Sequence, residues 1–412
     1  MSLEWSLCAP QADRLMTITS DHPKPRLLVV SFFSHEDPPT PRAERTQMVC
    51  AALQDAWQIS VIAGPADSGS APLATSRFAT RRRAALGRIA RSFLLDRYEP
   101  WSWRTVRRIG ANVDAALLIG FPFSPVAVAA RELAARRVPY IIDAGDPWVL
   151  TTDEPANRFI GLKRARRMEY MMWRGAAGGI LTTAYQASAI KSLVANLDIL
   201  VRPNGFVPVP PLRCGYDPRG DARTLRLVHF GLLSRARVAL LPFLQALAAS
   251  GIWHRIALDV YGTDWQGLLP DIPPNVTVTQ YSRVPWHAAV QAAQGYDAAL
   301  LIDNADPATM PSKLVSYQTL PCPRIALVCH DTANASIDYL HDKRAWLIVR
   351  SDDPGLADEV ARHVNTSWQV HDLQPPPSEA WDKVAQEIAA FINRHLVPHG
   401  PPSCRSLTSV QD

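Results

Sequence analysis

Two doubly wound α/β domains facing a central cleft are the fold this sequence predicts, on three observations. The chain has 412 residues, more than one ordinary hydrophobic core accommodates, so two units of about 200 residues each are expected. From Arg26 onward, short apolar runs alternate with amphipathic stretches, the pattern of a parallel sheet covered by helices on both faces. The alternation breaks in the proline-rich passage RPNGFVPVPPLRCGYDPRGDARTLR, which opens at Arg202, and then restarts.

In the first half, strands are expected at Arg26–Phe33, Gln58–Ala63, Asp114–Ile119, Pro139–Asp143, Gly179–Thr182 and Ile199–Arg202. Helices are expected between them at Arg42–Gln54, Val126–Arg137, Lys163–Arg174 and Tyr185–Val194. After the proline-rich passage the strands are Leu225–Phe230, Arg255–Tyr261, Val276–Thr279, Asp297–Ile302, Arg324–Val328 and Ala345–Val349. Their helices are Val238–Ala249, Pro285–Gln294 and Lys313–Leu320, and a last helix at Glu379–Leu396 closes the fold. The resulting division is a disordered extension at 1–25, a first domain at 26–202, a linker at 203–224, a second domain at 225–378, the closing helix at 379–396 and a disordered tail at 397–412.

Hydrophobic residues make up 47% of the chain and charged ones 20%, and the mean hydropathy is −0.06. These are values of a soluble globular protein. The richest apolar stretch, Ala115–Ala130, is interrupted by Gly120, Pro122, Ser124 and Pro125, so no membrane span is expected. The first residues, MSLEWSLCAPQADRLM, lack a basic start followed by an apolar core, which points to a cytoplasmic protein. The six cysteines are scattered without a C-x-x-C pair, so neither a zinc site nor a disulfide framework is indicated.

The net charge of +5 is unevenly spread. Between Arg77 and Arg108 stand ten arginines against Asp96 and Glu99, and Arg158–Arg174 adds six Lys or Arg against Glu169. The first of these segments interleaves its arginines with Leu86, Ile89, Phe93, Leu94, Trp101 and Trp103. That pattern fits a packed helix with a solvated arginine face, and also a segment lying on an anionic membrane, peripherally on its inner face. No nucleic-acid reading motif accompanies the charge, so no nucleic acid is expected as a partner.

The stretch Met310–Val328, MPSKLVSYQTLPCPRIALV, joins a Pro-Ser-Lys turn, a short helix and an apolar strand. A proline ahead of the helix, Ser312 as a cap and Lys313 in the first turn would together favour an anion; as a solitary feature, Lys313 reads equally as a solvated charge. The segment resembles the donor-sugar signature of group-1, family-four-type GT-B glycosyltransferases, P-x-K-L-x-E-Y followed by a small-residue turn and a P-x-I-x strand. Pro311, Lys313, Leu314 and Tyr317 match, whereas Ser316 stands where that family has a glutamate for the nucleotide ribose.

Further partial matches follow the family's chain order. SHEDPPTPRAERT, Ser34–Thr46, lies where an open parallel sheet presents its ligand loops. Pro38, Pro39 and Arg45 fit the family there, and Thr40, Pro41 and Arg42 replace its glycines. Arg42 or Arg45 would supply positive charge in their place, or serve as surface arginines of a helix start. DAGDPWVL resembles D-x-R-D-P-W, with Asp146 as an acceptor-binding or proton-accepting group or as a turn former. RPNGF resembles P-N-G-V-D, where Asn204 and Gly205 read first as turn residues. HFGLLSRAR supplies Gly231 with Arg235 and Arg237, Val260–Gly262 a strand and a glycine before the sugar, and Tyr281–Val284 a nucleobase loop.

The resemblance implies a GT-B enzyme of two Rossmann-like domains that moves a sugar from a nucleoside-diphosphate donor to a glycan, lipid-linked or small-molecule acceptor. It implies retention of configuration; the sequence has no D-x-D, which is consistent with a metal-independent reaction, and no cofactor besides the nucleotide sugar itself is expected. The second domain would hold the donor through Gly231, Arg235, Arg237, Gly262, Ser312, Lys313, Ser316 and Tyr317. The first would hold the acceptor near His35 and Asp146. Ser316 and the missing glycines leave open a catalytically inactive GT-B homologue acting as a partner or regulatory subunit, and a GT-B sugar-nucleotide epimerase is the remaining alternative.

Overall fold

The computed structural model describes residues 24–32, 41–64, 99–145, 148, 160–210, 215–218, 223–233, 239–262, 272–304, 306–329 and 334–397. Six parallel strands form the first sheet: β1 (Arg26–Ser31), β2 (Gln58–Ile62), β3 (Ala115–Gly120), β4 (Tyr140–Ala144), β5 (Gly178–Leu181) and β6 (Ile199–Val201), in the order β2-β1-β3-β4-β5-β6. Six more form the second: β7 (Thr224–Phe230), β8 (Arg255–Tyr261), β9 (Val276–Tyr281), β10 (Ala298–Ile302), β11 (Arg324–Val328) and β12 (Trp346–Arg350), in the order β12-β11-β10-β7-β8-β9. The central strands are continuous apolar runs because helices cover both of their faces. In β1, Leu28 and Val30 enter one core layer while Leu27 and Val29 enter the other, as the two-residue period of a strand requires.

The helices of the first domain are α1 (Pro41–Leu53), α2 (Glu99–Val106), α3 (Phe123–Ala135), α4 (Ile160–Arg174) and α5 (Ala184–Leu193). Those that follow are α6 (Leu240–Ala249), α7 (Trp286–Ala293), α8 (Lys313–Tyr317), α9 (Ala335–Leu340), α10 (Leu356–Val364), α11 (Val370–Leu373) and α12 (Trp381–Leu396). The expected strands are all present with ends shifted by a residue or two. The helix opening at Lys313 stops at Tyr317 rather than Leu320, and α2, α9, α10 and α11 are additions to the sequence reading. Among the described residues, no helix is long and apolar enough to cross a membrane.

α12 belongs to the first domain's core. Its apolar residues Trp381, Val384, Ala385, Ile388, Ala389, Ile392 and Leu396 recur at helical spacing. All of these but Ala385 pack with Val49, Leu53 and Trp57 against the face carrying Leu27 and Val29, and Trp57 Nε1 donates to Asn393 Oδ1 at 2.7 Å. The proline-rich passage is stitched down rather than slack. Phe206 pairs with Ala380 and Tyr216 with Trp368 in isolated bridges, and both aromatic rings are buried. Gly205 is needed for close approach: a Cβ there would lie 2.7 Å from the Trp381 Cα. Its φ is not positive, so the turn chemistry expected of Asn-Gly is not its reason.

Candidate functional site

Each sheet has one point where the chain order reverses, between β1 and β3 in the first and between β7 and β10 in the second. Loops leaving such neighbours diverge and open a crevice at the carboxyl ends of the strands. At the second of these points, Gly231 follows β7 with φ of +141°, a conformation that L side chains rarely adopt. A Cβ on Gly231 would overlap the Lys313 ammonium nitrogen and lie 3.2 Å from its Cδ, so the lysine stem runs flat across the glycine. Gly262, after β8, abuts the same spot, since a Cβ there would overlap the Gly231 carbonyl oxygen. Backbone bonds fix this stack: Gly231 N donates to Tyr261 O at 2.9 Å and Gly262 N to Tyr281 O at 3.0 Å. Three residues far apart in sequence thus meet; Lys313 is half-buried as a residue and its ammonium nitrogen is buried.

Lys313 is positioned by what surrounds its short helix. Ser312 makes no side-chain capping bond and already has helical φ and ψ, so the expected serine cap is absent. With only five residues in α8 the macrodipole is small, and the attraction for an anion resides in the lysine charge. Tyr317 is fully buried; its hydroxyl accepts from Phe230 N at 2.7 Å and lies 3.4 Å from both Phe230 O and Leu300 O. Expected among the donor-binding residues, it instead clamps the end of β7 from beneath, because its oxygen is occupied by backbone. Buried Arg324 donates through Nη2 to Gln318 O at 2.8 Å, Leu320 O at 2.6 Å and Leu373 O, which holds the turn after α8. Ser316 is half-buried three residues beyond Lys313, on the same helical face.

The first sheet treats its arginines differently. Arg45, 4% exposed, donates through Nε to Asp143 Oδ2 at 2.8 Å, and Asp143 at the end of β4 is wholly buried. Its remaining donors reach Pro203 O at 3.3 Å, Asn204 Oδ1 at 3.1 Å and Arg202 O at 3.2 Å. The expectation of a charge held open in a ligand loop thus meets a closed pair fastening α1, β4 and the chain leaving the first domain. Arg42 lies with its guanidinium 4.6 Å from the centre of the Phe121 ring, linking the start of α1 to the loop after β3. His35, Asp146, Arg235 and Arg237 lie outside the described residues. The neighbours of Asp146 are firmly held: Thr182 Oγ1 and Gln186 Nε2 donate to Gly145 O at 2.8 and 3.1 Å, while Trp148 stacks on Phe123 and donates its backbone N–H to Glu169.

The carboxyl ends of the two sheets meet at α5. Thr183 caps that helix by accepting from Gln186 N, and its hydroxyl also donates to Ala308 O at 2.9 Å, in the loop that leads to Lys313. Tyr185 OH donates to Asp338 Oδ2 on α9 at 2.8 Å. In the same loop Asp303 is buried and receives Ser336 Oγ at 2.6 Å and Asn334 Nδ2 at 3.2 Å. These contacts were not anticipated, although the Thr-x-x-Gln spacing at Thr183 is a readable capping signal. The partner Ala308 leaves no mark in sequence because only its backbone is used.

No protein-family model matches the chain, and no curated protein does. Among solved structures, it is similar to a protein from Listeria monocytogenes classed as a UDP-N-acetylglucosamine 2-epimerase, with 12% identity and a TM-score of 0.54 over 90% of this chain and 97% of that one. A UDP co-structure of S. aureus MnaA matches with 9% identity and a TM-score of 0.50 over 90% and 97%. At such identities the likeness is one of fold. Two parallel six-stranded sheets with alternating helices make this a two-domain, Rossmann-like GT-B protein.

Proposed function

We propose that the protein is a nucleotide-sugar-dependent GT-B enzyme that transfers a glycosyl group from a nucleoside-diphosphate sugar to an acceptor hydroxyl. The observation that carries this reading is the Lys313 ammonium lying over Gly231, beside Gly262, at the switch point of the second sheet. A glycine lets a diphosphate come close to backbone, and the lysine sits where charge develops as the leaving group departs. In the step proposed, the acceptor oxygen bonds to the anomeric carbon as the bond from that carbon to the diphosphate breaks. The acceptor proton passes to a base at the site, and the diphosphate leaves against Lys313 with Arg235 as the second cation. Ser316 faces the ribose in this reading, and the first domain brings the acceptor toward His35 and Asp146. Approach of the domains excludes water from the bond being broken.

A second reading uses the same donor site without an acceptor. The Listeria protein named above is classed as an epimerase, and epimerisation would invert a sugar carbon within the bound nucleotide sugar. Turnover with a panel of nucleotide sugars separates the readings. Transfer predicts release of nucleoside diphosphate that rises with added acceptor, whereas epimerisation predicts a new sugar nucleotide and no dependence on acceptor. Binding of nucleotide with neither product would support the inactive homologue.

A further inference from the structure

The exposed side of α4 is rich in cations. Lys163, Arg166, Arg167, Tyr170, Met171 and Arg174 are all exposed and recur at three- and four-residue spacing, so they share one face. The opposite side, with Ala165, Glu169, Met172 and Trp173, is buried. Among the described residues of these two helices the acids are buried: Glu169 accepts from Trp148 N, and Glu99 at the start of α2 pairs with Arg164 at 2.5 Å. That pair brings the first turns of α2 and α4 together, while Ser102 bonds Ser124 on α3. Trp103 and Arg104 of α2 are exposed, and Trp103 Nε1 donates at 3.4 Å to Glu99, the partner of Arg164.

Three large apolar side chains lie among these cations. Met171 is 58% exposed, Trp103 44% and Tyr170 38%, and Met171 is the most exposed large hydrophobe of the described residues. A thioether neither pairs with a phosphate nor reads a base, but it inserts readily among acyl chains. Trp and Tyr favour the headgroup region, and arginine stems reach from an apolar level up to lipid phosphates.

We propose that the α4 face, with Trp103 and Arg104 of α2, is a docking surface for an anionic lipid bilayer, with cations on headgroup phosphates and Met171, Tyr170 and Trp103 at the acyl boundary. Each cation near such a surface adds to the attraction, and the apolar side chains make it more than electrostatic. Phe32, just beyond β1, packs edge-on against Trp101 of α2 with ring centres 4.8 Å apart. The face therefore starts at the carboxyl end of the first sheet, the end on which the acceptor would bind. Resting on the transfer reading above, this makes the acceptor a lipid-anchored one presented at the membrane.

Flotation of the full chain tests this with vesicles of phosphatidylcholine alone and vesicles with about a third phosphatidylglycerol. The expected result is binding to the anionic vesicles about tenfold or more above the neutral ones, weakening with salt. The combined variant K163E, R166E, R167E and R174E is expected to lose that preference, and the milder K163Q, R166Q, R167Q and R174Q to lose most of it. Joint W103S, Y170S and M171S is expected to weaken binding several-fold at unchanged charge. The exposed substitutions R362E and K383E are expected to change nothing. Equal flotation of wild type and the charge variants would overturn the proposal, as would binding to a single-stranded oligonucleotide without binding to vesicles. Calorimetry with a nucleoside diphosphate, run without lipid, is expected to give the same affinity for all these variants, so failure of lipid docking and failure of the donor site are read separately.

Discussion

Beside the first switch point the cation is enclosed, while at the second it lies over a glycine. Arg45 has a buried carboxylate as its mate and three further backbone or side-chain acceptors around it. Lys313 is half-buried, with the Gly231 backbone directly under its stem. Arg45 stands on the helix after β1 and Lys313 on the helix after β10, so the two cations flank the switch points from opposite sides and are held in different ways. A desolvated arginine whose donors are satisfied fastens elements together, whereas the proposed donor site lays a lysine directly over a glycine backbone.

The largest way to break this comparison is to remove the enclosed cation. Arg45→Ala leaves Asp143 charged and buried without its mate, which is expected to destabilise the protein by about 3–5 kcal/mol in urea unfolding. Lys313→Ala is expected to stay within about 0.5 kcal/mol of wild type in the same assay. Equal losses would show that both cations are structural.

Acid separates the domains next. Burial pushes the His363 imidazole of α10 down to about 4, with its Nε2 3.1 Å from Arg324 O. The unfolded chain takes up this proton near the ordinary histidine value, so the contribution is complete above about pH 6.5 and is lost as pH falls toward 4. The expected loss is about 3 kcal/mol, and His363→Gln should flatten the acid side of the stability profile. A profile unchanged by that substitution would place the acid sensitivity elsewhere.

Gly231→Ala comes third. At a φ of +141°, and with Lys313 where its Cβ must go, the substitution is expected to cost about 1–3 kcal/mol and to displace the lysine. Nucleotide affinity should fall along with stability. Arg42→Ala is expected to cost only about 0.5–1 kcal/mol of stability, from the lost contact with Phe121, with nucleotide affinity unchanged. A marked loss of affinity there would assign part of the diphosphate site to the first sheet.

The strand pattern was legible because central strands such as β3, AALLIG, are buried on both faces and read as continuous apolar runs. Lys313 was singled out from its Pro-Ser-Lys turn, and Gly231 and Gly262 from the family resemblance, and the structure brings the three together. The part of Tyr317 was not, because its hydroxyl bonds to backbone of β7 and β10, and sequence does not say which strands will be neighbours. Arg45 was read as a loop cation for the same reason, its mate Asp143 lying 98 positions away. The helices α9 and α11 escaped notice because, at six and four residues, they are too short for helical periodicity to show.

The most direct measurement is titration calorimetry of nucleoside diphosphates against wild type and Lys313→Ala. The account predicts micromolar binding of at least one diphosphate by wild type, weakened by about 1.5–3 kcal/mol, or tenfold and more, in the variant while folding stability is kept. Binding of no diphosphate by wild type, or equal affinity in the two proteins, would contradict it.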